Sequence, residues 1–251
     1  MTASIESSDL RGQAVLITGG ARRVGAALVR ALHAAGANVL VHYRSSSGAA
    51  IALADALNRV RPNSIITRGA DLLEQRAPEE LVAATLSAFG RIDLLINNAS
   101  TFYPTPIGTI TNAQWDDLIG SNLKAPLFLS QAAAPSLRAN RGLIINIVDV
   151  HGLRPLKGHP LYSVAKAGLA MLTRSLAREL GPEIRVNGIA PGPVLWPEKD
   201  FDESLKKEIV DKTALKRYGT PQDIARAVLY LAKDAPYVTG QIIAVDGGRS
   251  I

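Results

Sequence analysis

Apolar residues fall in short, nearly unbroken runs separated by longer stretches in which they recur every three or four positions. The runs Ala14–Thr18, Asn38–Tyr43, Ser64–Thr67, Ile92–Ile96, Leu143–Val148, Ile184–Ile189 and Gln241–Val245 read as strands. The stretches near 23–35, 48–60, 78–89, 112–138, 160–180 and 221–233 read as helices. Runs with so little polar alternation predict strands covered on both faces, as in a parallel sheet. Their regular exchange with helices predicts an α/β fold: a doubly wound parallel sheet of about seven strands with helices on both faces. Thr220-Pro221-Gln222-Asp223 gives the last helix an N-cap, a proline in its first turn and an early acid. Residues 191–212, proline-rich at first and charged later, read as a long loop suited to cover a substrate.

Composition narrows the classes of function. A chain of 251 residues with 47% hydrophobic content suffices for one substantial core, and one domain over 1–251 is expected. Without cysteine there is no disulfide framework, thiolate metal site or cysteine nucleophile. The four histidines, His33, His42, His151 and His159, lack metal-ligand spacing, so no metal is expected. The start is polar and unlike a signal peptide, and no apolar run has membrane-spanning length, so a soluble cytoplasmic protein is expected. The formal charge of +6 is spread along the chain and aromatics are only 5%, which argues against a nucleic-acid surface.

The candidate chemistry begins with Tyr162 and Lys166, which stand one helical turn apart on one face. The ammonium is expected to favour the phenolate and lower the tyrosine pKa. Asp149 closes the run Leu143–Val148, where its carboxylate either joins the phenol or caps the strand end. Near the start, Thr18-Gly19-Gly20-Ala21-Arg22-Arg23-Val24-Gly25 reads as a strand, a small-residue turn and a helix start. Such a turn lets the backbone approach a pyrophosphate at the helix N-terminus, placing dinucleotide binding mainly in 12–150. The second strand ends in His42-Tyr43-Arg44-Ser45 with no acid for a ribose diol. Arg44, with Arg22 or Arg23, instead suits a 2′-phosphate, so NADPH is the expected cofactor. Asp71 and Leu72 follow the third strand, where a carboxylate can meet an adenine, and Asn97-Asn98-Ala99-Ser100 follow the fourth.

Together these pieces resemble the short-chain dehydrogenase/reductase family across nearly the whole chain. The matching residues are Thr18-Gly19…Gly25, Asn97-Asn98-Ala99, Asn122, Tyr162…Lys166, Pro191-Gly192 and Thr239-Gly240…Val245-Asp246-Gly247-Gly248. The resemblance implies a Rossmann-type domain, a nicotinamide cofactor reaching Pro191 and Gly192, and a homotetramer. Two departures, Arg23 for a usual glycine and Asp149 for a usual serine, look like the pteridine reductase branch. So does Asn97-Asn98-Ala99-Ser100-Thr101-Phe102-Tyr103-Pro104-Thr105-Pro106.

That branch implies an NADPH-dependent reduction of a C=N bond in a pterin or folate. Tyr162 would deliver the proton, Lys166 would hold the nicotinamide ribose, and Asn122 would anchor a water leading to Lys166. Phe102 would stack on the pterin, with Arg23, Ser100 and Asp149 also touching substrate. Pro193, Val194, Leu195 and Trp196 would cover it, Trp196 serving either there or at a subunit contact. An NADPH-dependent carbonyl reductase, such as a 3-oxoacyl thioester reductase, is the alternative; it leaves Asp149 and Phe102 without a role.

Overall fold

The computed structural model describes residues 9–194 and 203–251. Its strands are β1 (Ala14–Ile17), β2 (Asn38–Tyr43), β3 (Ile65–Gly69), β4 (Leu94–Asn97), β5 (Leu143–Ile147), β6 (Arg185–Pro191) and β7 (Ile242–Val245). They form one parallel sheet in the order β3-β2-β1-β4-β5-β6-β7. The helices are α1 (Arg23–Ala34), α2 (Ser47–Asn58), α3 (Ala77–Phe89), α4 (Asn112–Ile119), α5 (Ala125–Ala139), α6 (Pro160–Leu180), α7 (Glu203–Asp211) and α8 (Pro221–Lys233).

Strand side chains alternate between faces. Val15, Ile17, Val39 and Val41 therefore enter a core shared with α1, α2 and α8. Leu16 and Leu40 enter the opposite core, with α3, α5 and the end of α6. Both sets are apolar because both faces are covered, which is why the strands carry no hydrophobic alternation. Leu16, Ile17, Leu40, Leu95 and Ile96 are fully buried, each worth about 2 kcal/mol of transfer free energy.

The chain builds outward from β1 through β2 to β3, then returns to place β4 on the other side of β1. At that reversal the two connections leave in opposite directions and open a crevice beyond the strands' carboxyl ends. The turns after β1, β2, β4 and β5 all meet there.

Three elements differ from the sequence reading. The stretch 112–138 is not one helix, since a π-helical turn at Gly120–Lys124 separates α4 from α5. Part of 191–212 forms α7. β3 runs on to Gly69 because it is the sheet edge, where Arg68 and Gly69 are exposed and carry no apolar signal. The expected start of α8 is present as a reciprocal cap between Thr220 and Asp223. No helix among the described residues is long and apolar enough to cross a membrane.

Candidate active site

The phosphate loop is shaped by its backbone. Gly19 has φ +60°, and a Cβ on Gly25 would run into Gly19 O. Thr18 Oγ1 accepts from the backbone N–H groups of Asn98 and Ala99, both at 3.0 Å. The Asn98 amide donates in return to Thr18 O at 2.9 Å and Gly19 O at 3.0 Å. These bonds lock the turn after β4 onto the turn after β1. Thr18 was missed as a site residue because its role lies in a hydroxyl facing a neighbouring turn, which no spacing reveals.

α1 then begins with no capping hydrogen bond from Arg22 and no acid in its first turn, so its dipole favours an anion in the crevice. Arg23 opens the helix at φ +52°, a left-handed conformation that costs a residue with a side chain on the order of 1 kcal/mol. This is where the resemblance places a glycine, so the backbone shape is kept while an arginine replaces empty space.

His42, expected at the cofactor, is buried beneath the loop. Its Nδ1 accepts from Gly19 N–H at 3.2 Å, which makes Nε2 the protonated nitrogen, donating to Ala70 O at 3.0 Å. Burial lowers its pKa, opposed by the Ala70 bond and the Asp71 charge, so the neutral ring is the state that fits. His42 thus supports the loop from behind. Arg22, Arg44 and Ser45 are exposed at the crevice, and the Tyr43 ring packs against Gly69. Asp71 Oδ1 accepts from Leu73 N–H at 3.0 Å, turning the chain after Leu72.

Across the crevice, Tyr162 Oη donates to Asp149 Oδ2 at 2.8 Å. Asp149 Oδ1 accepts from His151 N–H at 2.8 Å, closing a short 3₁₀ turn at Val150–Gly152. One carboxylate therefore both caps the strand end and meets the phenol. Lys166 is buried, donates to Ile147 O at 2.9 Å, and lies 5.7 Å from the centre of the Tyr162 ring.

The electrostatics overturn one expectation. The Tyr162 pKa is not lowered by Lys166; burial pushes it well above the ordinary value, and the Asp149 charge and hydrogen bond add to this, with Ser100 opposing. Burial also pushes Lys166 down to about 8, against the pull of Asp149. In this geometry burial first, and the near carboxylate second, hold the phenol protonated, while the ammonium is turned toward a backbone carbonyl.

The segment after β4 is fastened to the α4–α5 junction. Asn122 Nδ2 donates to Thr101 O at 3.0 Å and Leu118 O at 2.9 Å, while its Oδ1 accepts from Ser100 Oγ at 2.7 Å. Thr101 Oγ1 meets Ser121 Oγ at 2.6 Å. The π-helical turn turns Ser121 and Asn122 to this segment, and such turns recur at functional sites. Asn122 is thus engaged with the Ser100–Thr101 segment, while Lys166 bonds to Ile147. Phe102 is 56% exposed at the crevice; it stacks on His159 (4.7 Å, 8° between planes) and sets its ring at 80° to Tyr162, 4.8 Å away. The pairing of His159 with Phe102 is a contact the sequence did not reveal. Pro191 ends β6, and Gly192, Pro193 and Val194 continue from it at the same end of the sheet, with Gly192 N–H bonded to Val245 O at 3.1 Å. Leu195 and Trp196 lie outside the described residues.

A family model described as enoyl-(acyl carrier protein) reductase matches residues 19–250. Pteridine reductase 1 of Leishmania tarentolae is 37% identical, over 94% of this chain and 96% of that protein. The 3-oxoacyl-[acyl-carrier-protein] reductase FabG of Staphylococcus epidermidis is 33% identical, over 94% and 98%. Among solved structures, a blue fluorescent protein from a metagenomic library in complex with NADPH has a TM-score of 0.91 and 35% identity, over 97% of this chain and 100% of that one. A short-chain dehydrogenase/reductase from Serratia marcescens has the same TM-score and coverage at 32% identity.

Proposed function

Because the chain belongs to the short-chain dehydrogenase/reductase family of oxidoreductases, we propose that it is an NADPH-dependent pteridine reductase, acting on a C=N bond of an oxidised or dihydro pterin, or of dihydrofolate. The observation that carries this reading is the Tyr162–Asp149 pair, an acid where the wider family resemblance leads one to expect a hydroxyl. An ionised carboxylate beside the phenol repels the oxygen of a carbonyl as that oxygen gains negative charge. It attracts the N–H groups of an amine-rich heterocycle. Phe102, with one face stacked on His159 and the residue still exposed, offers its remaining surface beside the same phenol, and stacking there is worth about 1 kcal/mol.

The residues around the phosphate loop fit a phosphorylated dinucleotide. Gly19 and Gly25 leave the loop backbone open, the α1 N-terminus favours an anion, and exposed Arg22 and Arg44 offer cations where an acid would otherwise bind a ribose. A bound nicotinamide would supply hydride. Tyr162, kept protonated by burial and by Asp149, holds the proton for the substrate nitrogen. Asp149 orients the phenol and, once the phenol has given up its proton, takes one from solvent and passes it to the phenolate, while Lys166 sets a positive charge behind both.

The carbonyl-reductase alternative draws support from 3-oxoacyl reductases of nearly the same identity. An assay at fixed NADPH with a dihydropterin and a β-ketoester separates the two. The dihydropterin should be the better substrate, and Asp149→Ser should lower its kcat/KM on the order of 10²-fold or more, the scale of a lost proton-transfer group. Preferential turnover of the β-ketoester, or full dihydropterin activity in the variant, would sink the pteridine reading.

A further inference from the structure

The cofactor rim and the substrate segment are joined by one acid on α4. Asp117 Oδ1 lies 3.7 Å from Arg44 Nη1, and Asp117 Oδ2 accepts from Tyr103 Oη at 3.0 Å. Tyr103 follows Phe102 directly. Burial raises its pKa, and the hydrogen bond and charge of Asp117 add to this, so the phenol remains a donor. The backbone carbonyl of Asp117 also accepts from Ser121 Oγ at 2.7 Å, the hydroxyl that holds Thr101.

We propose that Asp117 is a positioning residue that transmits occupancy of the 2′-phosphate site to the Phe102 segment by exchanging its hold on Arg44. The proposal rests on the reading that Arg44 selects the phosphorylated cofactor. A guanidinium prefers a phosphate, which it grips with two parallel charge-assisted bonds, to a carboxylate set at 3.7 Å. As the phosphate draws Arg44 away, Asp117 loses its cation and leans on its remaining strong donor, Tyr103 Oη. A bond to a charged acceptor with no competing cation is tighter, so the segment carrying Phe102 stiffens beside Tyr162. A cofactor without the 2′-phosphate leaves Arg44 on Asp117 and the segment looser. The phosphorylated cofactor would then be preferred twice, once in binding and once in ordering the place where substrate stacks.

The test needs no substrate. Hydrogen–deuterium exchange of a peptide covering 100–106 would be followed at saturating NADP⁺ and at saturating NAD⁺, alongside the dissociation constants of NADPH and NADH. In the unaltered protein NADP⁺ should slow exchange more than NAD⁺. Asp117→Asn and Tyr103→Phe should each abolish that difference. Asp117→Asn should also tighten NADPH by roughly two- to five-fold, the worth of the partly exposed ion pair that no longer competes, and leave NADH unchanged. Arg44→Ala should abolish both the cofactor preference and the exchange difference. Equal exchange with the two cofactors in the unaltered protein overturns the proposal, as does a difference that survives in Asp117→Asn. If Arg44→Ala keeps the preference for NADPH, the cofactor reading itself falls and the proposal with it. If Arg44→Ala loses the preference while Asp117→Asn keeps the exchange difference, the coupling alone is refuted.

Discussion

The phosphate loop and the catalytic cluster face each other across one crevice, yet they are held in opposite ways. The loop is set by backbone: Gly19 at φ +60°, Gly25 without room for a Cβ, and Asn98 bonded to two loop carbonyls. The cluster is set by side chains: a phenol on Asp149, an ammonium on Ile147 O, and Phe102 stacked on His159 with its ring at 80° to Tyr162. A backbone site tolerates almost no added volume but can exchange most of its outward side chains, as Arg23 at a glycine position indicates. A side-chain site tolerates shape changes but changes chemistry with each substitution. Binding should therefore be fragile in the loop and turnover fragile in the cluster.

The strongest challenge to that contrast is Tyr162→Phe, which removes one hydroxyl and no ring. It should lower kcat by about 10²- to 10⁴-fold, the range for a lost proton-transfer group, while an NADPH titration gives an affinity close to that of the unaltered protein. A kcat that survives would remove Tyr162 from the chemistry. Gly25→Ala is the counterpart in the loop. Its Cβ would meet Gly19 O and also approach Gly20 Cα and Asn98 Nδ2 at 2.9 Å, so the backbone must shift. A shift of this kind costs about 1–3 kcal/mol, which corresponds to NADPH affinity weaker by roughly 5- to 150-fold. Turnover at saturating cofactor should fall far less. Unchanged NADPH affinity in Gly25→Ala would show that the loop is not the rigid half.

The two regions also differ in how much of them the sequence discloses. The loop was readable because its requirements are steric, and steric requirements appear as residue types at fixed places: Gly19 and Gly25. The pairing of Asp149 with Tyr162 was readable because the strand and helix that carry them were. What the pairing does to the phenol was not. The sequence places Lys166 a turn from Tyr162, but only the fold buries the phenol, sets the carboxylate at hydrogen-bond distance and turns the ammonium to Ile147 O, reversing the expected direction of the pKa. The π-helical turn at Gly120–Lys124 was equally hidden, because one extra residue in a helix leaves the surrounding apolar spacing nearly unchanged. It is nevertheless what lets Ser121 and Asn122 hold Thr101 and Ser100. His42 was placed at the cofactor from its position at the end of an apolar strand; its ring is buried and accepts from the Gly19 N–H, so it braces the loop.

The smallest expected effect is on stability and again separates the halves. Lys166 is buried with its pKa near 8, against 10.5 when exposed. Below about pH 8 both folded and unfolded chains carry its proton, and the buried charge opposes folding by about 3 kcal/mol at most. Between pH 8 and 10.5 the unfolded chain binds the proton that the folded chain has released, so this group makes the fold more stable as pH rises. Tyr162 acts in the opposite sense only above its ordinary pKa of 10, because its folded value is raised and the folded chain then holds the extra proton. Thermal unfolding of the cofactor-free protein and of Lys166→Met from pH 7.5 to 9.5 isolates the lysine. Relative to the variant, the unaltered protein should gain stability across that range. The loop brings no such slope, since His42 is already neutral there and its pKa is lowered rather than raised. Gly25→Ala should accordingly lower the melting temperature at every pH and leave the slope intact. A slope that disappears with Gly25→Ala but persists in Lys166→Met would assign the titration to the wrong side of the crevice and undo the contrast between a backbone-built and a side-chain-built half.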